Sequence, residues 1–298
     1  MTPRLDVNKT YKLYIGGKFP RSESGRTFPV IGPAGQTVHA CAASRKDLRD
    51  AVEAARAGLT AWSGATPYLR GQILYRIAEM VEGKRRELAD AIDAASPARR
   101  APRAKAKTKP PAGDAEVRLA VDRLVHYAGW ADKFQQVLGC NNPVAGPYYN
   151  FTIPEPTGVV AVLAPDEAPL LALISLLAPV LAGGNTAVAL ASTRSPLPAL
   201  IFAEACATGD VPPGVVNILS GDRAELLKIF AAHRDIDAVH AANLHSDHLA
   251  ALRAGAAENL KRVTARSGVE WSDAPACHDP WWIEPFVEMK TVWHPAGA

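Results

Sequence analysis

The chain has few of the residues and runs that mark secreted or membrane-spanning proteins. Only four of its 298 residues are cysteine, and none forms a Cys-X-X-Cys pair. Their number and spacing argue against a disulfide scaffold and favour a reducing compartment. The longest apolar run, residues 170–182, contains Pro179 and is too short to cross a bilayer, and the first residues lack the apolar core of a signal peptide. We therefore expect a cytoplasmic protein that does not bind membranes.

The chain also has little excess of either positive or negative charge. The 33 basic and 30 acidic residues give a net charge of only +3, so nothing global indicates nucleic acid or an anionic surface as a partner. With 48% hydrophobic and 21% charged residues, the chain can form one large core or two small ones.

One segment departs from this balance. Residues 97–113, PARRAPRAKAKTKPPAG, contain six basic residues and no acidic one. Because such a segment buries too little apolar surface to offset the entropy of ordering, we predict a mobile, solvated loop. The alternative is an electrostatic tether for an acidic partner or nucleic acid, but the segment has no aromatic residue to stack on bases.

The first half of the chain predicts a hairpin followed by helices. Residues 11–30 alternate apolar and polar residues around a Gly-Gly turn, which predicts a hairpin. Residues 44–61 predict a helix with Ser44 as its N-cap and Asp47 three residues later. A second helix is predicted over 67–94, and a third begins near residue 114.

From residue 156 onward, strands and helices alternate. We predict strands at 159–163, 186–190, 215–219, 238–239 and 262–265, with helices at 170–182, 196–208, 224–233 and 247–259 between them. This order predicts an α/β fold with a doubly wound, Rossmann-like parallel sheet and helices on both faces. We expect three parts: an N-terminal part with an oligomerisation segment (1–155), a degenerate dinucleotide-binding-type domain (156–268), and a linker with a C-terminal oligomerisation strand (269–298).

Residues 156–221, which begin PTGVVAVLAP and end VPPGVVNILSG, resemble the cofactor-binding half of the aldehyde dehydrogenases. The resemblance rests on spacing, turn residues and apolar pattern, and it extends to residues 121–134 and 11–28. It implies the dinucleotide-binding fold of that superfamily. It also implies which positions would carry chemistry.

Those positions hold other residues here. The turn after the first strand keeps its prolines but has Glu167 where the family has an oxyanion-stabilising asparagine, and a carboxylate would repel an oxyanion. Leu190 stands where the resemblance places the lysine that holds the adenosine ribose, and only Ser192 of that turn remains. Arg266 stands in place of the general-base glutamate and cannot accept a proton.

The phosphate glycines and the nucleophile do not match either. Residues 241–245, AANLH, contain no glycine where the family has Phe-Thr-Gly-Ser. Cys277 follows the Gly268 position too closely to be the family's nucleophile, and sequence neighbours such as Cys277 and His278 rarely point at each other. His245 and His248 have metal-like spacing but no third ligand. We therefore predict no catalytic, cofactor-binding or metal site, although weak NAD(P) binding stays open.

The sequence thus predicts a pseudoenzyme that resembles the noncatalytic second half of long two-part aldehyde dehydrogenases, without the family's catalytic domain. We expect it to act as a structural or regulatory subunit, as a homo-oligomer or with an active aldehyde dehydrogenase. The alternative is a residual NAD(P)-linked oxidoreductase or dinucleotide-binding protein, because the crevice of the fold remains. An adaptor that works through the basic segment and a degraded copy without function are further alternatives.

The resemblance also implies a subunit interface. The tail EPFVEMKTVWHPAGA resembles the end of longer family members, where a strand crosses to a neighbouring subunit. An exposed strand of this kind needs an edge with which to pair, and tryptophan is a common interface anchor. The predicted contact residues are Tyr148, Phe151, Ile153, Thr291, Val292 and Trp293.

Overall fold

A small sheet opens the part of the chain that the computed structural model describes, residues 8–95 and 113–296. Of the loop predicted at 97–113, residues 97–112 lie outside the described residues, and Gly113 is already helical. Strands β1 (Thr10–Tyr11) and β2 (Thr27–Ile31) lie on either side of β3 (Thr37–Cys41), parallel and antiparallel to it respectively.

The hairpin predicted for residues 11–30 is wrong in its pairing. The Gly-Gly turn closes a short hairpin, with a bridge between Ile15 and Lys18 and a 3.2 Å hydrogen bond from the Leu13 amide to the Pro20 carbonyl, and β2 pairs with β3 instead. The reason is tertiary, because Tyr14 exchanges backbone hydrogen bonds of 2.9 and 2.7 Å with Ile218 of the large sheet. The residues before the turn are therefore engaged elsewhere.

Five helices follow: α1 (Arg45–Gly64), α2 (Pro67–Gly83), α3 (Arg85–Ala95), α4 (Gly113–Trp130) and α5 (Phe134–Leu138). Ser44 and Asp47 form a reciprocal capping box at the start of α1. The single helix predicted over 67–94 is two helices, because the chain turns at Lys84 after Gly83, and glycine is a weak helix former. Strands β4 (Cys140–Asn142) and β5 (Tyr148–Pro156) come next.

The predicted doubly wound parallel sheet is confirmed. Its strands are β6 (Val159–Leu163), β7 (Thr186–Leu190), β8 (Val216–Leu219), β9 (Ala238–Ala242) and β10 (Arg262–Arg266), in the spatial order β10-β9-β6-β7-β8. The intervening helices are α6 (Leu171–Ala182), α7 (Leu197–Thr208), α8 (Arg223–Ala232) and α9 (Ser246–Asn259).

Alternate side chains of these strands enter two separate cores. On one face Val160, Val162 and Ala187 pack with α2, α4, α6 and α7. On the other face Leu163 and Leu190 pack with α1, α8 and α9. Strands covered on both faces read as continuous apolar runs, which is why the sequence indicated them clearly.

The C-terminal strand β11 (Val287–Pro295) pairs antiparallel with β5 over nine residues of each strand. The register places Val292 opposite Phe151 and Trp293 opposite Asn150. The tail strand thus finds one pairing edge within the chain, on β5. In the described structure, the outer edge of β11 pairs with no strand.

Residues 269–286, part of the predicted linker and here called the strap, fold onto the core. The strap contains the short helix α10 (Ala274–Cys277) and two single-turn 3-10 helices. Arg123 and Tyr127 of α4 donate hydrogen bonds to the carbonyl oxygens of Trp271 (3.2 Å) and Cys277 (3.1 Å). Among the described helices, none combines the length and apolarity needed to cross a membrane.

Candidate functional site

The candidate site is the crevice at the carboxyl ends of the large sheet. The strand order reverses at β6, which has β7 on one side and β9 on the other. Ligands of doubly wound sheets bind outside the strand ends at such a reversal. The polar residues that the turns and strand ends bring to this edge are Asp166, Glu167, Ser192, Arg223, Asn243 and Arg266.

The carboxylate of Asp166 occupies the β6-β7-β8 side of the crevice. Its Oδ1 atom accepts hydrogen bonds from the Ser192 hydroxyl (2.8 Å), from the backbone amides of Thr193 (2.9 Å) and Arg194 (3.3 Å), and from the Arg223 guanidinium (3.2 Å). Burial raises the pKa of Asp166, but the Arg223 charge and the Ser192 hydrogen bond more than offset this, so the pKa lies below its usual value. Asp166 is therefore ionised at neutral pH.

Asn243 connects the turns on the other side of the crevice. Its side-chain amide donates to the Glu167 carboxylate, and its Oδ1 accepts from the backbone of Gly268 at 3.1 Å. The residue has a φ of 49°, a left-handed conformation that asparagine tolerates better than most residues. Glu167 thus lies at the crevice as predicted, but as an acceptor that is already bound.

Arg266 lies against a buried histidine and an aromatic ring. Its Nε donates to Nε2 of His240 at 2.8 Å, while Nδ1 of His240 donates to the Leu176 carbonyl at 2.8 Å. The Arg266 guanidinium also lies 3.6 Å above the ring of Trp282, in a cation–π contact. Burial, with the Arg266 charge second, lowers the pKa of His240 well below its usual value. The imidazole is therefore neutral, and neither side chain can take a proton from a substrate in this arrangement.

Leu190 does not belong to the crevice. Its side chain is fully buried in the core beneath α1 and α8, together with Leu163 and Leu219. The position that the resemblance assigns to a ribose-binding lysine therefore contributes apolar packing only.

Cys277 and His278 are not brought together. The thiol of Cys277 is buried, 3.7 Å from the Glu270 carbonyl, and burial raises its pKa. The His278 ring instead stacks on His126, with the ring centres 4.2 Å apart. No nucleophile–base pair forms here.

The remaining predicted positions are the pair His245 and His248 and the end of β9. The rings of His245 and His248 are 6.4 Å apart, and the described residues contain no group of three potential metal ligands. Ala241 and Ala242 end β9 as buried strand residues. His245 precedes α9, where its ring accepts a long hydrogen bond from the Asp247 amide.

Sequence reasoning missed two interactions at this edge, the Asp166–Arg223 ion pair and the His240–Arg266 hydrogen bond. The signal for the first was present, since opposite charges follow β6 and β8 at the same end of the sheet. No signal in the sequence indicated the second interaction, because His240 lies within a short apolar strand. Its role depends on the strap, which carries Trp282 to Arg266.

Comparison with known proteins identifies relatives over most of the chain. A family model described as "Aldehyde dehydrogenase family" matches residues 19–270. Mouse retinal dehydrogenase 2 is 33% identical over 274 residues, which are 90% of this chain and 50% of that protein. A putative aldehyde dehydrogenase, DhaS, of Bacillus subtilis (strain 168) is 32% identical over 276 residues, 90% of this chain and 53% of its own length.

Solved structures agree with these matches. The NAD⁺ complex of an aldehyde dehydrogenase from Bacillus cereus superposes with a TM-score of 0.77 and 30% identity, over 87% of this chain and 51% of that one. PnpE in complex with nicotinamide adenine dinucleotide gives a TM-score of 0.75 and 27% identity, over 85% and 50%. The chain spans about half the length of the curated relatives it matches.

Proposed function

Because this chain belongs to the aldehyde dehydrogenase family, we propose that it is a noncatalytic member that acts as a structural or regulatory subunit. Its partner would be a second copy or an active aldehyde dehydrogenase. The observation that carries this proposal is the environment of Arg266. At the position that the resemblance assigns to the general base, the Arg266 guanidinium donates a hydrogen bond to His240 and stacks on the ring of Trp282.

The charges at the crevice oppose aldehyde oxidation. A general base must be able to accept a proton, and a guanidinium remains protonated in proteins. Oxyanion stabilisation requires hydrogen-bond donors, whereas Glu167 presents a carboxylate to the amide of Asn243. Both positions therefore have the wrong charge for the reaction that the family resemblance implies.

The residues of the crevice do not fit the dinucleotide that the family implies. A bound dinucleotide would bring phosphate groups to the strand ends, where Asp166 is ionised and already holds Arg223. Leu190 contributes no donor for a ribose hydroxyl, because its side chain lies in the core. The crevice therefore lacks the ribose donor and the free cationic group that a dinucleotide would need here.

The sheet of β4, β5 and β11 is the surface we assign to assembly. Side chains alternate between faces along a strand, and the register places Tyr148, Thr291 and Trp293 on one face. Phe151, Ile153 and Val292 lie on the opposite face. Tyr148 and Trp293 pack edge to face, with ring centres 5.9 Å apart. Exposed aromatic residues beside an unpaired strand edge favour a protein partner.

Three measurements on the purified chain test this proposal. Calorimetric titration with NAD and NADP should detect no micromolar binding, and aldehydes should yield no reduced cofactor. Light scattering of the chain, alone and mixed with a full-length aldehyde dehydrogenase from the same organism, should detect an oligomer or a mixed complex. Turnover of an aldehyde, or a monomer under both conditions, would contradict the proposal.

A further inference from the structure

The hydrogen bonds that Asp166 accepts resemble those of an anion bound in a protein site. One oxygen, Oδ1, accepts from a hydroxyl, two consecutive backbone amides and the Arg223 guanidinium. The other oxygen, Oδ2, has only a 3.8 Å ion-pair contact with the exposed Arg194. The donors come from the turns after β7 and β8, whereas the acceptor comes from the turn after β6.

This donor set is of the kind that binds anions in proteins. Consecutive backbone amides in a turn form a concave site for an oxyanion, and a guanidinium adds charge-assisted hydrogen bonds. Ser192 contributes a hydroxyl that also accepts from the Ser195 amide at 3.0 Å. The turns after β7 and β8 thus supply donors around a single point outside the strand ends.

Two buried polar atoms of the same turns lack a hydrogen-bond partner among the described residues. Ser195 is only 7% exposed, and its hydroxyl oxygen is one of them. The Nε of Arg223 is likewise buried without a partner. Buried polar groups are normally hydrogen-bonded, and these two belong to the same turns as the donors that hold Asp166. The turns therefore offer more hydrogen-bonding groups than one carboxylate oxygen uses.

We propose that Asp166 is an internal ligand of an anion site suited to a phosphate group, and that it keeps external phosphate compounds out of the crevice. The site is formed by Ser192, Thr193, Arg194 and Arg223. A tetrahedral phosphate presents more acceptor oxygens than a carboxylate, which suits the surplus of donors. In the unmodified protein, the ionised Asp166 fills the position, neutralises Arg223 and repels a second anion.

The variant Asp166→Ser tests this assignment, because it removes the carboxylate and keeps a small polar side chain. Calorimetric titration with inorganic phosphate and with adenosine 5′-diphosphate should show binding at least about tenfold tighter than in the unmodified protein. An equal gain for both probes would show that the site takes the phosphate alone. A larger gain for the diphosphate would show that the nucleoside also contacts the crevice.

Three further variants make the outcome specific. Asp222→Ser removes a carboxylate next to Arg223 that makes no bond to it, and serine can still cap α8, so this variant should bind neither probe more tightly. Arg223→Gln in the Asp166→Ser background should abolish the gain. Asp166→Asn keeps the acceptor oxygen and the shape, and should give a smaller gain.

Unchanged binding in both Asp166→Ser and Asp166→Asn would overturn the assignment. Should Asp166→Ser fail to fold, as judged by circular dichroism, Asp166→Asn decides alone. The result does not depend on the proposed function. An unmodified chain that oxidised an aldehyde would contradict the noncatalytic role, whereas the titrations of the Asp166 variants would still decide the anion site.

Discussion

The Nε of Arg266 donates a hydrogen bond to Nε2 of His240 at 2.8 Å. This contact determines the tautomer of the histidine, because Nε2 must be the acceptor and Nδ1 carries the proton that binds the Leu176 carbonyl. A permanent cation is thereby held beside a neutral imidazole, and the ring of Trp282 faces the guanidinium. Arg266 is thus integrated into the packing of the sheet edge and is not a free surface charge.

We predict that Arg266→Glu raises the pKa of His240 from its depressed value. The substitution replaces a cation that opposes protonation with a carboxylate that favours it. Proton NMR of the imidazole resonances across the acid range measures the change. Arg262→Glu alters net charge equally on the same strand, where Arg262 binds Glu288, and should leave His240 unchanged. Equal imidazole titration curves for the unmodified protein and both variants would contradict the contact between Arg266 and His240. We expect no gain of aldehyde turnover in either variant.

We predict that Glu116 makes the protein less stable as pH rises toward neutrality. This buried carboxyl accepts from the amides of Leu170 (2.9 Å) and Leu171 (3.2 Å) at the start of α6. Burial raises its pKa from 4.5 to about 7. The folded protein therefore favours the protonated form, whose contribution to stability is complete below about pH 4.5 and is lost as pH rises through about 7.

Glu116→Gln should remove this dependence, because glutamine can still accept from both amides without ionising. Above about pH 7 the variant should be more stable than the unmodified protein, by up to the order of 3 kcal/mol, and near pH 5 the two should be similar. Urea unfolding at both pH values measures the difference. A constant difference across the range would indicate that Glu116 does not titrate in the folded state as proposed.

We predict that Trp293→Ser lowers the oligomeric mass of the protein. Trp293 is 59% exposed on β11, and its loss removes the largest apolar side chain of the assigned surface. Trp281 is 50% exposed in the strap, outside that sheet, so Trp281→Ser is a matched control and should not change the mass. Light scattering at several concentrations compares the proteins. If Trp293→Ser and Ile153→Ser both retain the mass of the unmodified protein, the interface lies elsewhere.

We predict that only one of the four thiols reacts quickly with a thiol reagent in the folded protein. Cys140 is exposed, whereas Cys41, Cys206 and Cys277 are buried. Burial also raises the pKa values of Cys206 and Cys277, which decreases their thiolate fraction. Cys140→Ser should therefore abolish the fast reaction, and denaturant should expose the remaining thiols. A fast phase that instead disappears in Cys277→Ala would assign unexpected reactivity to the strap.

The strands and helices of the large sheet were predictable because each satisfies a local rule. Val159–Leu163 and Thr186–Leu190 are short apolar runs bounded by turns, and the structure places strands at those same residues. The capping box of Ser44 and Asp47 likewise depends on residues three apart in sequence. Periodicity and capping are local properties, so one sequence is enough to detect them.

The features that escaped prediction depend on residues distant in sequence. The pairing of β2 with β3 follows from the contact of Tyr14 with Ile218, about two hundred positions along the chain. The sequence placed Glu167 and Arg266 at the ends of predicted strands, yet the ion pair of Asp166 and Arg223 requires the β6-β7-β8 order, which local patterns do not specify. To predict that the strap is buried, one must know which face of α4 it packs against.

The strap also has a consequence for the order of events during synthesis. The side chain of Arg123 is fully buried and reaches the Trp271 carbonyl 148 residues later, while Tyr127 reaches the Cys277 carbonyl 150 residues later. A nascent chain that has emerged only as far as β10 contains every strand of the large sheet, and Arg123 can already reach the Ser175 hydroxyl, but the Trp271 and Cys277 carbonyls are still missing. We therefore expect the core layer between α4 and the strap to close only after residues 271–277 have been translated.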